Sequence, residues 1–202
     1  MPAPSPAKPN SQNPKLILAS ASARRRDLLK TLYVTPDEII PADIDETPLK
    51  AELPRPYAMR VAREKAQAIA VSHKGSIILA ADTVVGVGRR ILPKAESEDE
   101  ARDCLELMSG RAHRVFTAVA VINAAGELRE KCVETRLKMK RLSREEIECY
   151  VRSGEWKGKA GGYGIQGYAG AFITHLSGSY SNVVGLPVTE IRHMLLAAGY
   201  KL

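Results

Sequence analysis

The chain has few of the features that secreted, zinc-stapled or membrane-spanning proteins need. Its three cysteines are an odd number without a C-x-x-C pair, which argues against a disulfide framework or a structural zinc site and favours a reducing compartment. No apolar run reaches the length of a transmembrane helix. The N-terminus lacks the hydrophobic core of a signal peptide. We therefore expect a cytoplasmic protein with no membrane partner.

Aromatic residues are also scarce, at 5% of the chain, and they do not cluster among lysines and arginines. Proteins that hold single-stranded nucleic acid stack its bases on aromatic side chains, and no recognition-helix motif for duplex DNA is present either. The formal net charge of +7 nevertheless favours an anionic partner. We expect that partner to be a small anion, without a stable nucleic-acid complex.

The length of 202 residues suits one α/β domain, or two small lobes that share a core. Apolar strand patterns alternate with amphipathic helix patterns, which predicts an α/β architecture with a mixed sheet. Residues 1–14 carry five prolines and are predicted to form a disordered tail, followed by a single domain over 15–202. The patterns predict strands over 16–19, 76–85 (interrupted at 82–83), 115–121, 133–139 and 172–176, and helices over 24–32, 56–71, 97–109, 143–153 and 188–198.

A candidate anion site follows the first apolar strand. Ser20 and Ser22 lead into the three consecutive arginines Arg24, Arg25 and Arg26. A strand that turns into a helix exposes free backbone N–H groups, and serine and arginine side chains add further donors. The segment predicts either a phosphate cradle or a serine helix cap followed by a solvated basic turn.

Carboxylates supply the second candidate feature. Asp82 follows a strongly apolar strand, where open α/β sheets bind ligands, and it could hold a cation, position water, accept a proton or simply cap a turn. A proline-bounded loop contributes Asp43, Asp45 and Glu46, either as a solvated surface or as part of a magnesium site. Two lysines, Lys65 and Lys94, could neutralise a triphosphate.

A glycine-rich segment over 158–170 allows close approach of backbone to a ligand. It matches neither the P-loop nor the dinucleotide fingerprint. Within it, Gln166 pairs a donor with an acceptor, which suits the edge of a base. The segment over 177–187 places small polar residues ahead of a helix, and its Tyr180 and Asn182 argue against a flexible linker.

Six motifs occur in series and together resemble the Maf family of nucleoside triphosphate pyrophosphatases over about residues 16–196. The motifs are Ser-Ala-Ser-Ala-Arg-Arg at 20–25, Asp-Ile-Asp-Glu at 43–46, Glu-Lys-Ala at 64–66, Ala-Asp-Thr-Val-Val at 81–85, Lys-Ala-Gly-Gly-Tyr-Gly-Ile-Gln-Gly at 159–167 and Gly-Ser-Tyr-Ser-Asn-Val-Val-Gly-Leu-Pro at 178–187.

The resemblance implies an elongated mixed sheet with two lobes and a central cleft, of the kind seen in inosine triphosphate pyrophosphatases. It implies cleavage of a nucleoside triphosphate between the α and β phosphates, giving a monophosphate and pyrophosphate, with Mg²⁺ or Mn²⁺. The Gly-Ile-Gln-Gly form resembles the branch that acts on dTTP and UTP, with modified pyrimidine nucleotides also compatible, and the family implies a homodimer. Family members are associated with arrest of cell division, so the alternative is a non-catalytic nucleotide-binding regulator of division and septum formation.

Matched by position, the resemblance makes Asp82 the catalytic carboxylate and a metal ligand together with Glu46. One departure concerns Lys94, because the family's usual Leu-Gly-Lys-Pro is here Leu-Pro-Lys-Ala. The substrate-binding residues implied are Ser20, Ser22, Arg24, Arg25, Lys65, Thr83, Lys94 and Gln166.

Overall fold

A computed structural model describes residues 13–202 as an α/β fold built on one seven-stranded sheet. The predicted tail lies outside the described residues, except for Asn13 and Pro14. The Asn13 side chain exchanges hydrogen bonds of 2.9 and 2.8 Å with the backbone of Lys201. The strands are β1 Leu16–Leu18, β2 Glu38–Ile39, β3 Ile77–Val87, β4 Arg90–Leu92, β5 Ala112–Ile122, β6 Leu128–Met139 and β7 Ile173–Ser177; the helices are α1 Ala23–Lys30, α2 Pro54–Ala70, α3 Glu98–Met108, α4 Arg144–Ser153, α5 Tyr180–Val184 and α6 Val188–Ala197, with a 3₁₀ helix at Tyr168–Phe172.

The sheet is mixed, as predicted. Its order is β2-β1-β3-β5-β6-β7, with β4 paired to β3 away from this path. The short strand β1 runs parallel to β2 and β3, whereas the long strands β3, β5 and β6 are antiparallel neighbours. The parallel pairs need crossovers, and α1 and α2 lie in the connections that provide them.

Helix starts follow the capping rules from which they were predicted. Both capping boxes are present: Ser97 with Glu100 begins α3, and Ser143 with Glu146 begins α4. Helix α4 ends at Gly154, whose φ of 69° is the left-handed conformation that glycine adopts without strain. Helix α2 begins two residues before the predicted position because Pro54 already suits the first turn.

One prediction about β3 is wrong. Strand β3 does not stop at Asp82 and resume at Val84; it runs without interruption from Ile77 to Val87. Strand β5 pairs with β3 on both sides of this point and places Ala118 opposite Asp82. The backbone of β3 therefore stays paired with β5 at Asp82 and Thr83, where its side chains become polar. The strand that does end here is β1, whose last aligned pair is Leu18 with Leu79. Asp82 therefore lies just past the end of the neighbouring strand, not at the end of its own.

The core has three clusters that divide the molecule into two lobes. One cluster packs α2 on one face of β1, β3 and β5, and a second packs α1 and α6 on the other face. The third joins α3 and α4 to the far ends of β3, β5 and β6 and supports the glycine-rich segment. Two lobes that share long central strands confirm the predicted architecture.

Candidate active site

A cleft of about 490 Å³ lies between the lobes. The turn from β1 into α1, the middle of β3 and the loop carrying Glu46 line it from the first lobe. Lys94, the glycine-rich segment and the end of α5 line it from the second. All eight side chains expected to bind substrate, and the carboxylates of Asp82 and Glu46, lie on this one surface.

The serine turn is both a helix cap and part of the cleft wall. The Ser22 hydroxyl accepts from the backbone N–H of Arg25 at 3.5 Å, which caps α1. The buried hydroxyl of Ser20 accepts from the Arg25 guanidinium at 2.8 Å. The two interpretations left open by the sequence, a cap and a ligand-binding turn, are therefore compatible in one structure.

The three arginines have different environments. Arg25 donates to the carbonyl of Gly185 at 2.9 Å and to the Thr83 hydroxyl at 3.3 Å, in addition to Ser20. Burial lowers its pKa, and the nearby negative charge of Asp82 opposes that change. Arg24 lines the cleft, whereas Arg26 is exposed and outside it. The fold thus fixes one guanidinium, presents a second and leaves the third in solvent.

Two carboxylates meet two ammonium groups at the other side of the cleft. The buried Lys65 ammonium lies 2.9 Å from Asp82 Oδ1 and 2.8 Å from Glu46 Oε1. Lys94 lies 2.5 Å from Glu46 Oε2. Burial raises the pKa of Glu46, but hydrogen bonds from Lys65 and Lys94 outweigh it and lower the pKa overall. Asp82 is almost fully buried, so its carboxylate depends on Lys65 for charge compensation.

Only one carboxylate of the acidic loop enters the cleft. Asp45 turns back to accept from the Thr47 backbone N–H at 2.8 Å, and both Asp43 and Asp45 are exposed. The backbone of Glu46 is anchored to α2, because the Tyr57 hydroxyl donates to the Glu46 carbonyl at 2.9 Å. The sequence did not identify Tyr57, because no local pattern marks a contact with a loop eleven residues earlier.

Lys94 lines the cleft although its turn departs from the family's usual sequence. The carbonyl of Pro93 accepts from Gly161 N–H at 2.8 Å, and Ala95 N–H donates to the carbonyl of Lys159 at 3.2 Å. These bonds tie the turn to the glycine-rich segment. Proline lacks a backbone N–H, but this contact uses only the Pro93 carbonyl, so the proline is compatible with it.

The glycine-rich segment approaches the cleft closely. A Cβ at Gly164 would lie 2.9 Å from Lys159 Cε and 3.4 Å from Gln166 Oε1, so these two side chains converge over a residue that must be small. Gln166 itself is exposed on the cleft surface. Behind the segment, the buried Tyr163 hydroxyl hydrogen-bonds His113 Nε2 at 2.7 Å, and burial lowers the pKa of His113 to about 4.

A buried polar network lies beneath Arg25 and was not foreseen. The Thr83 and Thr117 hydroxyls are 3.0 Å apart, and Thr117 donates to the backbone carbonyl of Asn182 at 2.8 Å. The Asn182 amide donates to Val115 O at 3.2 Å and to Thr135 Oγ1 at 3.0 Å. This network joins α5 to β3, β5 and β6 and so places the Gly185 carbonyl that Arg25 contacts.

The carboxylates of Asp82 and Glu46 are of the ligand type that Mg²⁺ prefers. Asp82 and Glu46 present hard carboxylate oxygens on either side of a single cation, Lys65 Nζ. Magnesium is commonly bound by one or two carboxylates plus substrate phosphates and water. Within residues 13–202, groups of three or more acidic, histidine or cysteine side chains that could hold a metal are not found.

Fold and cleft together define an α/β protein with two lobes and a cleft between them in which cationic side chains outnumber acidic ones. The fold is similar to that of a HAM1 protein from Coxiella burnetii, with a TM-score of 0.50 and 16% identity over 91% of this chain and 99% of that one. The family profile described as Maf-like protein matches residues 15–198. The chain therefore belongs to the Maf family.

Its relatives share most of their length with it. A protein of Novosphingobium aromaticivorans named dTTP/UTP pyrophosphatase is 60% identical over 193 residues, which is 96% of each chain. One of Caulobacter vibrioides with the same name is 57% identical over 93% of this chain and 97% of its own. Across the described residues, none of the helices is long and apolar enough to cross a membrane.

Proposed function

We propose that the chain is a nucleoside triphosphate pyrophosphatase that hydrolyses dTTP and UTP to the monophosphate and pyrophosphate. The observation that carries this proposal is the 60% identity, over 96% of each chain, with a relative named for that activity. The geometry is consistent with it, because basic groups, a buried carboxylate and a base-reading amide share one cleft.

The side chains divide into roles along the cleft. Arg24, Arg25 and the Ser20–Ser22 turn bind the phosphates with charged and neutral donors. Gln166 offers the uracil or thymine edge a donor for a carbonyl oxygen and an acceptor for the ring N–H. Thr83, whose hydroxyl contacts Arg25 and Thr117, sets the position of Arg25 against the substrate.

Asp82 acts as the general base. Its carboxylate takes a proton from the water that attacks the α phosphorus, and the P–O bond to the bridging oxygen breaks to release pyrophosphate. Lys65 orients that carboxylate, while Lys94 orients Glu46. Positioning and charge stabilisation by these groups supply most of the acceleration.

We assign Asp82 and Glu46 as the residues that would hold Mg²⁺ or Mn²⁺. Such an ion would neutralise phosphate charge and polarise the phosphoryl oxygens. Lys65 lies between the same two carboxylates, so it must share them with the ion or turn toward the phosphates. A cytoplasmic location and a homodimeric state remain predictions, the latter measurable by light scattering of the purified protein.

The test is a panel of nucleoside triphosphates assayed for pyrophosphate release with Mg²⁺ and Mn²⁺. It includes dTTP, UTP, CTP, the purine nucleotides and 5-substituted uridine triphosphates. We expect dTTP and UTP to exceed CTP in kcat/KM by at least about tenfold. Cytosine has an amino donor where uracil has a carbonyl acceptor, and an unprotonated ring nitrogen where uracil has an N–H, so it cannot pair with the Gln166 amide in the same way. Binding of dTTP without release of pyrophosphate would instead support the non-catalytic regulator.

A further inference from the structure

The charges that line the cleft are unevenly paired. Five cationic and three acidic side chains line it. Lys65 pairs with Asp82 and Glu46, and Lys94 pairs with Glu46. Two of the five cations, and two of the three carboxylates, are therefore already engaged with each other. The cationic side chains are Arg24, Arg25, Lys65, Lys94 and Lys159, and the acidic ones are Glu46, Asp82 and Glu96.

The remaining cations lack a carboxylate partner. Arg25 has three hydrogen bonds, all to hydroxyl or carbonyl oxygens. The Arg24 side chain lines the cleft and makes neither a hydrogen bond nor an ion pair with any residue of the described chain. Lys159 donates to the backbone carbonyl of Glu155 and has no ion pair to a carboxylate there. An unpaired, partly desolvated cation is stabilised by an anionic ligand.

Arg24 and Lys159 face the cleft from opposite lobes. Arg24 is on α1, beside the core under β1, whereas Lys159 is in the glycine-rich segment beside the α3 and α4 core. Burial lowers the pKa of Lys159, the positive charge of Arg24 lowers it further, and Glu155 opposes both. Both cations line the same cleft, so an anion bound between them would reduce their mutual repulsion.

The backbone around Lys159 is fixed on both sides. Its carbonyl accepts from Ala95 N–H, and the next two residues pair with the Lys94 turn through the Lys94–Ala160 bridge and the Gly161–Pro93 bond. The aliphatic stem of Lys159 packs over Gly164, where a Cβ would lie 2.9 Å from Cε. This packing confines the stem of Lys159, a residue that lines the cleft, while its ammonium donates to the backbone carbonyl of Glu155.

We propose that Lys159 is a substrate-binding residue that acts with Arg24 as a two-lobe clamp on the polyphosphate. The inference rests on the proposed function and deepens it by giving the cations of the cleft two separate roles. Lys65 and Lys94 hold the carboxylates, whereas Lys159 and Arg24 hold phosphate. Because the clamp residues come from different lobes, the bound polyphosphate connects the lobes directly.

The test measures binding of inorganic tripolyphosphate, without metal, by calorimetry at low ionic strength. We expect Lys159→Met to raise the Kd by about tenfold or more, as loss of one charge-assisted contact implies, and Lys159→Arg to recover most of the affinity. The matched control is Lys157→Met, two residues away and exposed, with its ammonium over the Trp156 ring. It should bind tripolyphosphate as the parent does.

Three results would overturn the proposal. Parental tripolyphosphate affinity in Lys159→Met would show that the ammonium does not bind phosphate. Weakened dTMP binding with unchanged tripolyphosphate binding would show that Lys159 contacts the nucleoside part of the substrate and not the polyphosphate. Equal losses in Lys159→Met and Lys159→Arg, with lowered thermal midpoints in both, would make its role structural. Because the ligand carries no base and is not turned over, failure of the parent to hydrolyse dTTP would refute the proposed function without deciding this one.

Discussion

At the scale of single residues, the candidate site depends on charges that neutralise one another before any ligand arrives. Asp82 is nearly fully buried in the middle of a strand and is compensated by Lys65, which Glu46 also contacts. Removing one partner of such a group leaves a buried charge uncompensated. Substitutions here must therefore be judged by stability as well as by rate.

Asp82→Asn tests the assignment of the general base. The amide is isosteric and can still face Lys65, which retains Glu46 as a partner, so we expect a folded protein. Turnover of dTTP should fall by at least about 100-fold, because general-base catalysis typically contributes that much. Steady-state kinetics with a melting curve measure both, and Asp45→Asn, in the exposed part of the acidic loop, is the control. Parental turnover in Asp82→Asn would show that another group takes the proton.

His113 predicts a pH dependence of stability. Its pKa is lowered by burial to about 4 in the folded protein, against about 6.5 when unfolded. The unfolded chain therefore binds the proton first, and stability falls as pH drops from about 6.5 to 4. The His113 contribution to this loss is about 3 kcal/mol.

Denaturant unfolding at several pH values measures the effect. His113→Gln should flatten the pH dependence of the free energy of unfolding across that window, whereas His175→Gln, an exposed histidine on β7, should not. Identical pH slopes for the parent and His113→Gln would mean that His113 titrates alike in the folded and unfolded states.

At the scale of elements, short pieces of backbone position the side chains of the cleft. Strand β1 has three residues, and its end opens the space beside Asp82. Helix α5 has five residues and brings the Gly185 carbonyl to Arg25. The sequence predicted β1 from its apolar run, but β2, β4, α5 and the 3₁₀ helix are too short to show a usable periodicity and were not predicted. The motif that contains α5 was nevertheless recognised.

Asn182→Ala tests the anchoring of α5. Its side-chain amide joins α5 to Val115 on β5 and Thr135 on β6, and the substitution leaves a buried carbonyl and a hydroxyl with fewer partners. We expect a loss of about 2–3 kcal/mol in the free energy of unfolding and a raised KM for dTTP, since Arg25 loses its fixed acceptor. Tyr180→Ala, half-exposed on the same helix, should change both far less. An unchanged KM would show that the anchoring of α5 does not affect substrate binding.

At the scale of the whole molecule, two lobes share the long strands β3, β5 and β6 while each keeps its own core. The shared strands couple the lobes, so the cleft forms only when both are folded. A ligand held by both lobes then stabilises the entire domain, because it binds the native state alone.

Thermal unfolding with a non-hydrolysable α,β-methylene analogue of dTTP checks this coupling. We expect one transition in the free protein, shifted upward by about 5–10 °C at 100 times the Kd, as mass action and the size of the domain imply. An analogue of dTMP at the same multiple of its own Kd is the control for ligand occupancy. Two transitions, of which only one moves, would show that the lobes unfold independently.

The sequence by itself determined the regular elements and the inventory of the site. Apolar periodicity, capping boxes and glycine stops act within a turn or two of the chain, so the predicted bounds of β5, α3 and α4 were close. The predicted start of β6 was five residues late, because the strand begins at Leu128. The family motifs identified the residues of the cleft, because those motifs are contiguous in the chain. Only the tertiary structure decided which residues pair. It shows that Asp82 lies inside β3 beside the end of β1, that Lys65 and Lys94 contact carboxylates, and that Arg24 and Lys159 line the same cleft without a carboxylate partner. These relations join residues 17 to 135 positions apart, and local patterns carry no information about contacts at that separation.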